Sequence, residues 1–147
     1  LHIATRLDDE FKQFYQQSLF NSDNVHFYDF VHIGSDRFIE LVQTCGYIVL
    51  PSCSEGSPGS VVDCMQHGLV PVVTPGAHLD VEPVGTVLSE TTVESIRHTL
   101  LTLTKVPAGE LSNKAEQIKE LVRQRHTIAR FETELGRILQ QVTGGTE

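Results

Sequence analysis

No run in this 147-residue sequence approaches the roughly 20 apolar residues that a membrane-spanning helix needs. Bases are also scarce: Lys and Arg total 11 against 19 Asp and Glu, a formal net charge of −8. That balance argues against nucleic acid as a general partner, while leaving room for a locally positive phosphate pocket. The acids are spread along helix faces, the ordinary arrangement of a solvated surface. Cysteine is limited to Cys45, Cys53 and Cys64, an odd number with neither C-x-x-C nor zinc spacing. They read as reduced, part-buried thiols of a cytoplasmic protein; for Cys53 a modifiable thiol is the alternative. His2, His26, His32, His98 and His126 show no metal spacing, and no metal site is expected. There is no internal repeat, no low-complexity segment and no visible signal peptide. The chain opens at Leu1 inside an apolar run without an initiator Met, which reads as an excised piece. Its length suits one domain with one core, residues 1–147.

What is present is an alternation of short apolar runs and amphipathic segments. Leu1 to Thr5, Val25 to Phe30, Tyr47 to Leu50, Val70 to Thr74 and Gly85 to Leu88 read as strands. Those at Tyr47 and Val70 are apolar on both faces, as buried parallel strands are. Asp9 to Phe20 reads as a helix with Phe11, Phe14, Tyr15 and Leu19 on one face. Ser35 is placed to cap a second helix, whose buried side is Phe38, Ile39, Val42 and Cys45. Beyond Leu88 the pattern becomes helical only. One helix is marked by Val93, Ile96, Leu100 and Leu103, and the next by Ala115, Ile118, Leu121 and Val122. The last is marked by Ile128, Phe131, Leu135, Ile138 and Val142. Thr143 to Glu147 reads as a frayed tail. The alternation predicts an α/β fold with a Rossmann-like, doubly wound parallel sheet and a helical C-terminal segment. Ligands in such sheets sit at the carboxyl ends of the strands. The loops at Thr5-Arg6, Glu55-Gly56 and Pro75-Gly76 would line that edge.

The chemistry concentrates in Glu55-Gly56-Ser57-Pro58-Gly59-Ser60, which runs from a strand into a helix carrying Asp63. A helix start offers N–H groups without intrahelical partners, and the helix dipole favours an anion there. Gly56 and Gly59 have no Cβ to block a ligand, and Pro58 and Ser60 suit the turn and first helical positions. Glu55 and Asp63 flank this anion site as acceptors for sugar hydroxyls. Solvated acids in an ordinary βαβ unit are the plain alternative. Arg6, the only base in the three loops, either faces a phosphate or pairs with Asp8 or Asp9. His67 reads as a helix C-terminal histidine meeting the dipole, and His78 stands in the Pro75-Gly76-Ala77 loop within possible reach of a ligand.

Ser54-Glu55-Gly56-Ser57-Pro58, followed by Val62-Asp63-Cys64-Met65, Gly68 and Pro71-Val72-Val73, resembles the donor-site signature of the retaining family 4 glycosyltransferases of GT-B fold. That signature reads E-G-x-P-x-x-x-x-E-A-M, then a small residue, Gly and an apolar P-V-V strand. Weaker likenesses flank it at Val25 to Val31, Arg37 to Val42, Leu50-Pro51-Ser52, Pro75 to Val81 and Gly85 to Leu88. The resemblance implies the nucleotide-sugar-binding half of such an enzyme, taking a UDP- or GDP-sugar for transfer to a hydroxyl acceptor. It assigns Glu55 the catalytic position, holding hydroxyls of the donor sugar, and Asp63 the ribose diol. Gly56, Ser57, Pro58, Gly59 and Ser60 would cradle the pyrophosphate, with Arg6 as its base. No cofactor, metal or covalent nucleophile is implied. The family's acceptor-binding N-terminal domain, and the first strand and helix of its donor domain, have no counterpart here, so the 147 residues alone are expected to be inactive in transfer.

The chain departs from the pattern at Asp63, where the family has Glu, at Cys64 for Ala, and at Asp29 and Ala4 to Asp9, where the family is glycine-rich. A degenerate, non-catalytic donor domain is therefore one alternative. A GT-B-type sugar-nucleotide epimerase is another, with His78 as its visible acid–base group. A receiver-like module is a third; Asp8-Asp9 offers its acid pair, but Thr74-Pro75-Gly76 offers no Lys.

Overall fold

In a computed structural model describing residues 1–144, short apolar runs pair as strands and every strand pair is parallel. The protein is α/β, with two small parallel sheets and six α-helices among the described residues. These residues group into two compact units, one from Leu1 to Thr44 and one from Cys45 onward.

In the first unit β1 (His2–Ala4) pairs with β2 (His26–Tyr28), with His2 opposite His26 and Ala4 opposite Tyr28. Both strands span only three residues. The two histidines stack across the pair at 5.1 Å, and His2 Nδ1 shares a hydrogen bond with the Tyr28 hydroxyl at 2.9 Å. The segment expected as one helix from Asp9 to Phe20 divides. α1 is Asp9–Tyr15, and Gln16–Phe20 winds as a π-helical turn that carries Phe20 onto Phe27 at 4.0 Å. Asp8 caps α1, its carboxylate accepting from the Phe11 N–H at 2.6 Å. The anticipated apolar face is mostly uncovered, with Phe14 79% exposed. α2 (Asp36–Thr44) begins where Ser35 caps it, Oγ accepting from the Phe38 N–H at 3.2 Å. Phe38 and Val42 are buried, Ile39 is half-buried, and Cys45 falls beyond the helix end.

The second unit contains β3 (Tyr47–Leu50), α3 (Gly59–Gln66), β4 (Val70–Val73) and β5 (Thr86–Val87). The sheet order is β3-β4-β5, with Tyr47 opposite Val70, Leu50 opposite Val73, and Val72 opposite Thr86. β4 is the central strand and is buried along its whole length. Pro71 is tolerated there because the Val70 N–H donates toward β3, to the Gly46 carbonyl. Residue 71 therefore faces the other way, and the ladder with β5 starts only at Val72. Three helices follow: α4 (Val93–Leu103), α5 (Ala108–Arg125) and α6 (Ile128–Thr143). Thr92 and Thr127 cap α4 and α6 through their hydroxyls. The core joins Val61 and Met65 of α3, Val70 and Val73 of β4, and Ile118, Leu121 and Val122 of α5, together with Ala77, Leu79 and Val81. Ala115, Ile118, Leu121 and Val122 thus mark the inward face of α5, as their spacing predicts. α6 also forms where its periodicity places it, but Ile128, Phe131 and Val142 stay 79%, 65% and 73% exposed. Of the tail, Thr143 ends α6 and 145–147 lie outside the described residues. Among the described residues no helix is long and apolar enough to cross a membrane.

Ion pairs tie the helix surfaces locally, as in Lys114–Glu110 at 3.4 Å and Arg130–Glu134 at 2.8 Å, each solvated and worth about 0.3–0.5 kcal/mol. A longer-range pair, Arg125–Asp80 at 2.6 Å, fastens the end of α5 to the segment after the 75–77 turn. Beside it, His126 Nε2 is buried with no hydrogen-bond partner among the described residues. Burial, and secondarily the Arg125 charge, lower its pKa below the ordinary imidazole value, against the opposing pull of Asp80.

Gly68 ends α3 at φ +91, with its N–H donating to the Met65 carbonyl at 2.9 Å. A Cβ there would also meet Lys119 Cε at 2.9 Å and Ala115 Cβ at 3.3 Å. Gly68→Ala is expected to cost about 1–2 kcal/mol in urea unfolding. By contrast Gly136, mid-α6 with nothing within 4 Å of an added Cβ, should gain about 0.5–1 kcal/mol on replacement by Ala. The His126 shift has a definite sign. A depressed folded pKa favours the neutral ring, so its stabilisation is complete above the unfolded value of about 6.5 and is lost as pH falls through the folded value. Urea midpoints from pH 8 to pH 5 should fall more steeply for the parent than for His126→Gln; parallel curves would refute this.

Candidate functional site

The segment from Pro51 to Pro58 connects the carboxyl end of β3 to the start of α3, and 74–80 leaves the carboxyl end of β4. Because β3 and β4 are neighbouring parallel strands, both loops emerge on one edge of the sheet. They are joined directly. Thr74, buried at the end of β4, donates its hydroxyl hydrogen to the Ser52 carbonyl. The Glu55 N–H donates to the Gly76 carbonyl at 2.8 Å. His78 Nδ1 lies 2.9 Å from the Glu55 carbonyl oxygen. Gly76 is needed for this approach, since a Cβ would come within 2.7 Å of the Cys53 carbonyl carbon.

Glu55 itself is exposed, and its Oε1 accepts from Ser52 Oγ at 3.4 Å. Gly56 and Gly59 are open, with nothing among the described residues within 4 Å of an added Cβ. The left-handed residue of the loop is neither glycine but Ser57, at φ +63. α3 starts after Pro58, with no side chain capping it among the described residues, which leaves first-turn amides for solvent or an anion. Val61 and Val62 N–H groups turn back to the Pro58 carbonyl at 3.1 and 3.4 Å. Asp63 is half-buried just over a turn into α3. Beside it, burial pushes the Cys64 thiol up to about 11, with Asp63 and Cys45 adding to the effect. His67 closes the helix as its position predicts, Nδ1 lying 2.9 Å from the Asp63 carbonyl.

Glu55, Gly56, Ser57, Pro58, Gly59, Ser60 and Asp63 thus belong to one loop-and-helix unit. Arg6 belongs to the first unit and lies over the Phe30 ring, 5.2 Å from its centroid. Asp8 is occupied as the α1 cap, and Asp9 pairs with Lys12 at 3.7 Å. Two surface cavities among the described residues have no lining residue from the Glu55 loop. One, of about 380 Å³, is lined by Asp9, Lys12 and Phe20, and one, of about 470 Å³, by Arg125, His126 and Phe131. The residues that sequence reasoning missed are Ser52 and Thr74, which anchor the loop. Their signal is a hydroxyl residue closing each of two adjacent apolar strands.

No protein-family model and no curated protein matches the chain.

The contrast between the thiols gives a direct check. Cys53 is exposed, whereas Cys64 stays protonated until far above neutrality. Since only the thiolate reacts, iodoacetamide at pH 8 is expected to alkylate Cys53 well before Cys64 in the folded protein. Peptide mass mapping that finds Cys64 labelled first would contradict the packing around α3.

Proposed function

We propose that the protein is the donor-binding part of a retaining GT-B glycosyltransferase of family 4 type, and that its ligand is a UDP- or GDP-sugar. The observation that carries this reading is the uncapped start of α3, entered through two open glycines and flanked by Glu55 and Asp63 at the carboxyl edge of a parallel sheet. Open amides and the dipole favour a diphosphate. Two ionised carboxylates, able only to accept, favour hydroxyl-rich groups on either side of it. Asp63 would hold the ribose diol and Glu55 the sugar, while the amides from Gly56 to Ser60 stabilise the diphosphate as it leaves. The three free cysteines support a cytoplasmic location. On this reading transfer needs a second, acceptor-binding domain, and the 147 residues alone bind donor without transferring it.

The two acids should fail differently in NMR titrations. Asp63→Ala removes a charge-assisted acceptor, worth about 1.5–3 kcal/mol. It is expected to weaken nucleoside diphosphate and nucleotide sugar alike, by about tenfold or more. Glu55→Ala should leave the free diphosphate nearly untouched and weaken only the nucleotide sugar. If both truncations lower both affinities equally, or neither changes anything, the acids are solvated surface groups and the reading fails.

A further inference from the structure

His78 occupies a conformation that few residues other than glycine adopt, φ +49 and ψ +40, at the end of the Pro75–Ala77 turn. Its own N–H closes that turn on the Pro75 carbonyl at 3.1 Å. The left-handed backbone brings Nδ1 to the Glu55 carbonyl oxygen at 2.9 Å. A carbonyl only accepts, so Nδ1 carries the hydrogen, and the neutral ring has its lone pair on Nε2. The same hydrogen bond survives protonation at Nε2, because Nδ1 is a donor in both forms.

Glu55 is thereby gripped from both sides of its backbone by one turn. Its N–H donates to the Gly76 carbonyl at 2.8 Å, and its C=O accepts from His78. The turn is in turn fixed by buried Thr74 and by the tight contact of Gly76 with Cys53. Both backbone groups of exposed Glu55 are bonded to this one segment, and the cost of holding His78 in the left-handed region is recovered through this grip.

We propose that His78 is the positioning residue for Glu55, fixing the backbone from which the Glu55 carboxylate meets the ligand. The inference rests on the donor-site reading for what the ligand is, but the clamp itself is a property of the free protein. Its strained backbone is accounted for by that task and not by turn formation alone, which glycine would serve better.

Two substitutions isolate the ring from the backbone. His78→Gly deletes the imidazole while suiting φ +49. His78→Asn tolerates the same φ and places its amide nitrogen where Nδ1 stood. In the free protein, amide exchange at Glu55 should accelerate roughly five- to tenfold in His78→Gly, the loss of about one hydrogen bond. In His78→Asn it should return to near the parent rate. Imidazole nitrogen NMR of the parent should show the hydrogen on Nδ1. With a UDP- or GDP-sugar, His78→Gly should bind several-fold more weakly, with free diphosphate little changed, and His78→Asn should recover. Unchanged Glu55 exchange in His78→Gly, an Asn variant no better than Gly, or the hydrogen on Nε2 would each overturn the clamp. A parent that binds no nucleotide sugar overturns the donor reading and with it the part of His78 in binding. The exchange measurement needs no ligand and decides the clamp separately.

Discussion

The burial of β4 is the constraint on which the second unit depends. Val70, Val72 and Val73 are each at most 1% exposed, with α3 and α5 supplying apolar side chains and β3 and β5 the backbone partners. Each fully buried side chain of this size contributes about 1.5–3 kcal/mol. The strand therefore has one register, and the residues at its carboxyl end are delivered to fixed positions. Thr74 is the first of them, a buried polar residue whose hydroxyl is satisfied by donating to the Ser52 carbonyl. Everything in the candidate site follows from that anchor: the 75–77 turn, the grip on Glu55, and the course of the loop into α3.

The loop is otherwise open. Among the described residues nothing lies within 4 Å of a Cβ added at Gly56 or Gly59, no side chain caps the helix start, and Glu55 is exposed. Such a site is preorganised in its backbone and free in its side chains. That division suits a ligand whose charged centre meets amides and whose periphery meets carboxylates. A net charge of −8 does not oppose this, because amide dipoles at a helix start act over short range while Glu110, Glu116 and Glu120 of α5 and Glu134 of α6 are paired along their own surfaces.

Strain is placed informatively. Ser57 and His78 both adopt left-handed backbone, one in each of the two joined loops, although glycines stand close to both in sequence. Neither is Gly56 or Gly59, the loop glycines whose missing Cβ leaves room for a ligand. Among the glycines that sterics require are Gly68, ending α3, Gly76, pressed against Cys53, and Gly85, where a Cβ would meet Val81 Cβ at 2.7 Å.

Periodicity and capping chemistry by themselves determined where most elements lie. The apolar runs at Tyr47 and Val70 became neighbouring parallel strands, the second buried along its length and the first only half-buried, Ser35 capped α2, and the α5 stripe faced the core. The Glu55-to-Asp63 segment was legible as a strand-to-helix loop from the same kind of local pattern. Pairing and packing were not local. Among the described residues the strands form a pair and a triplet, a grouping set by contacts distant in sequence. Gln16–Phe20 gave up α-helical winding while setting Phe20 on Phe27, and the stripe of α6 specified a helix without specifying a cover. Only the tertiary structure brought Thr74, Gly76 and His78 onto Ser52, Cys53 and Glu55. Hydrogen bonds between residues about twenty positions apart exist only once β3 and β4 lie side by side.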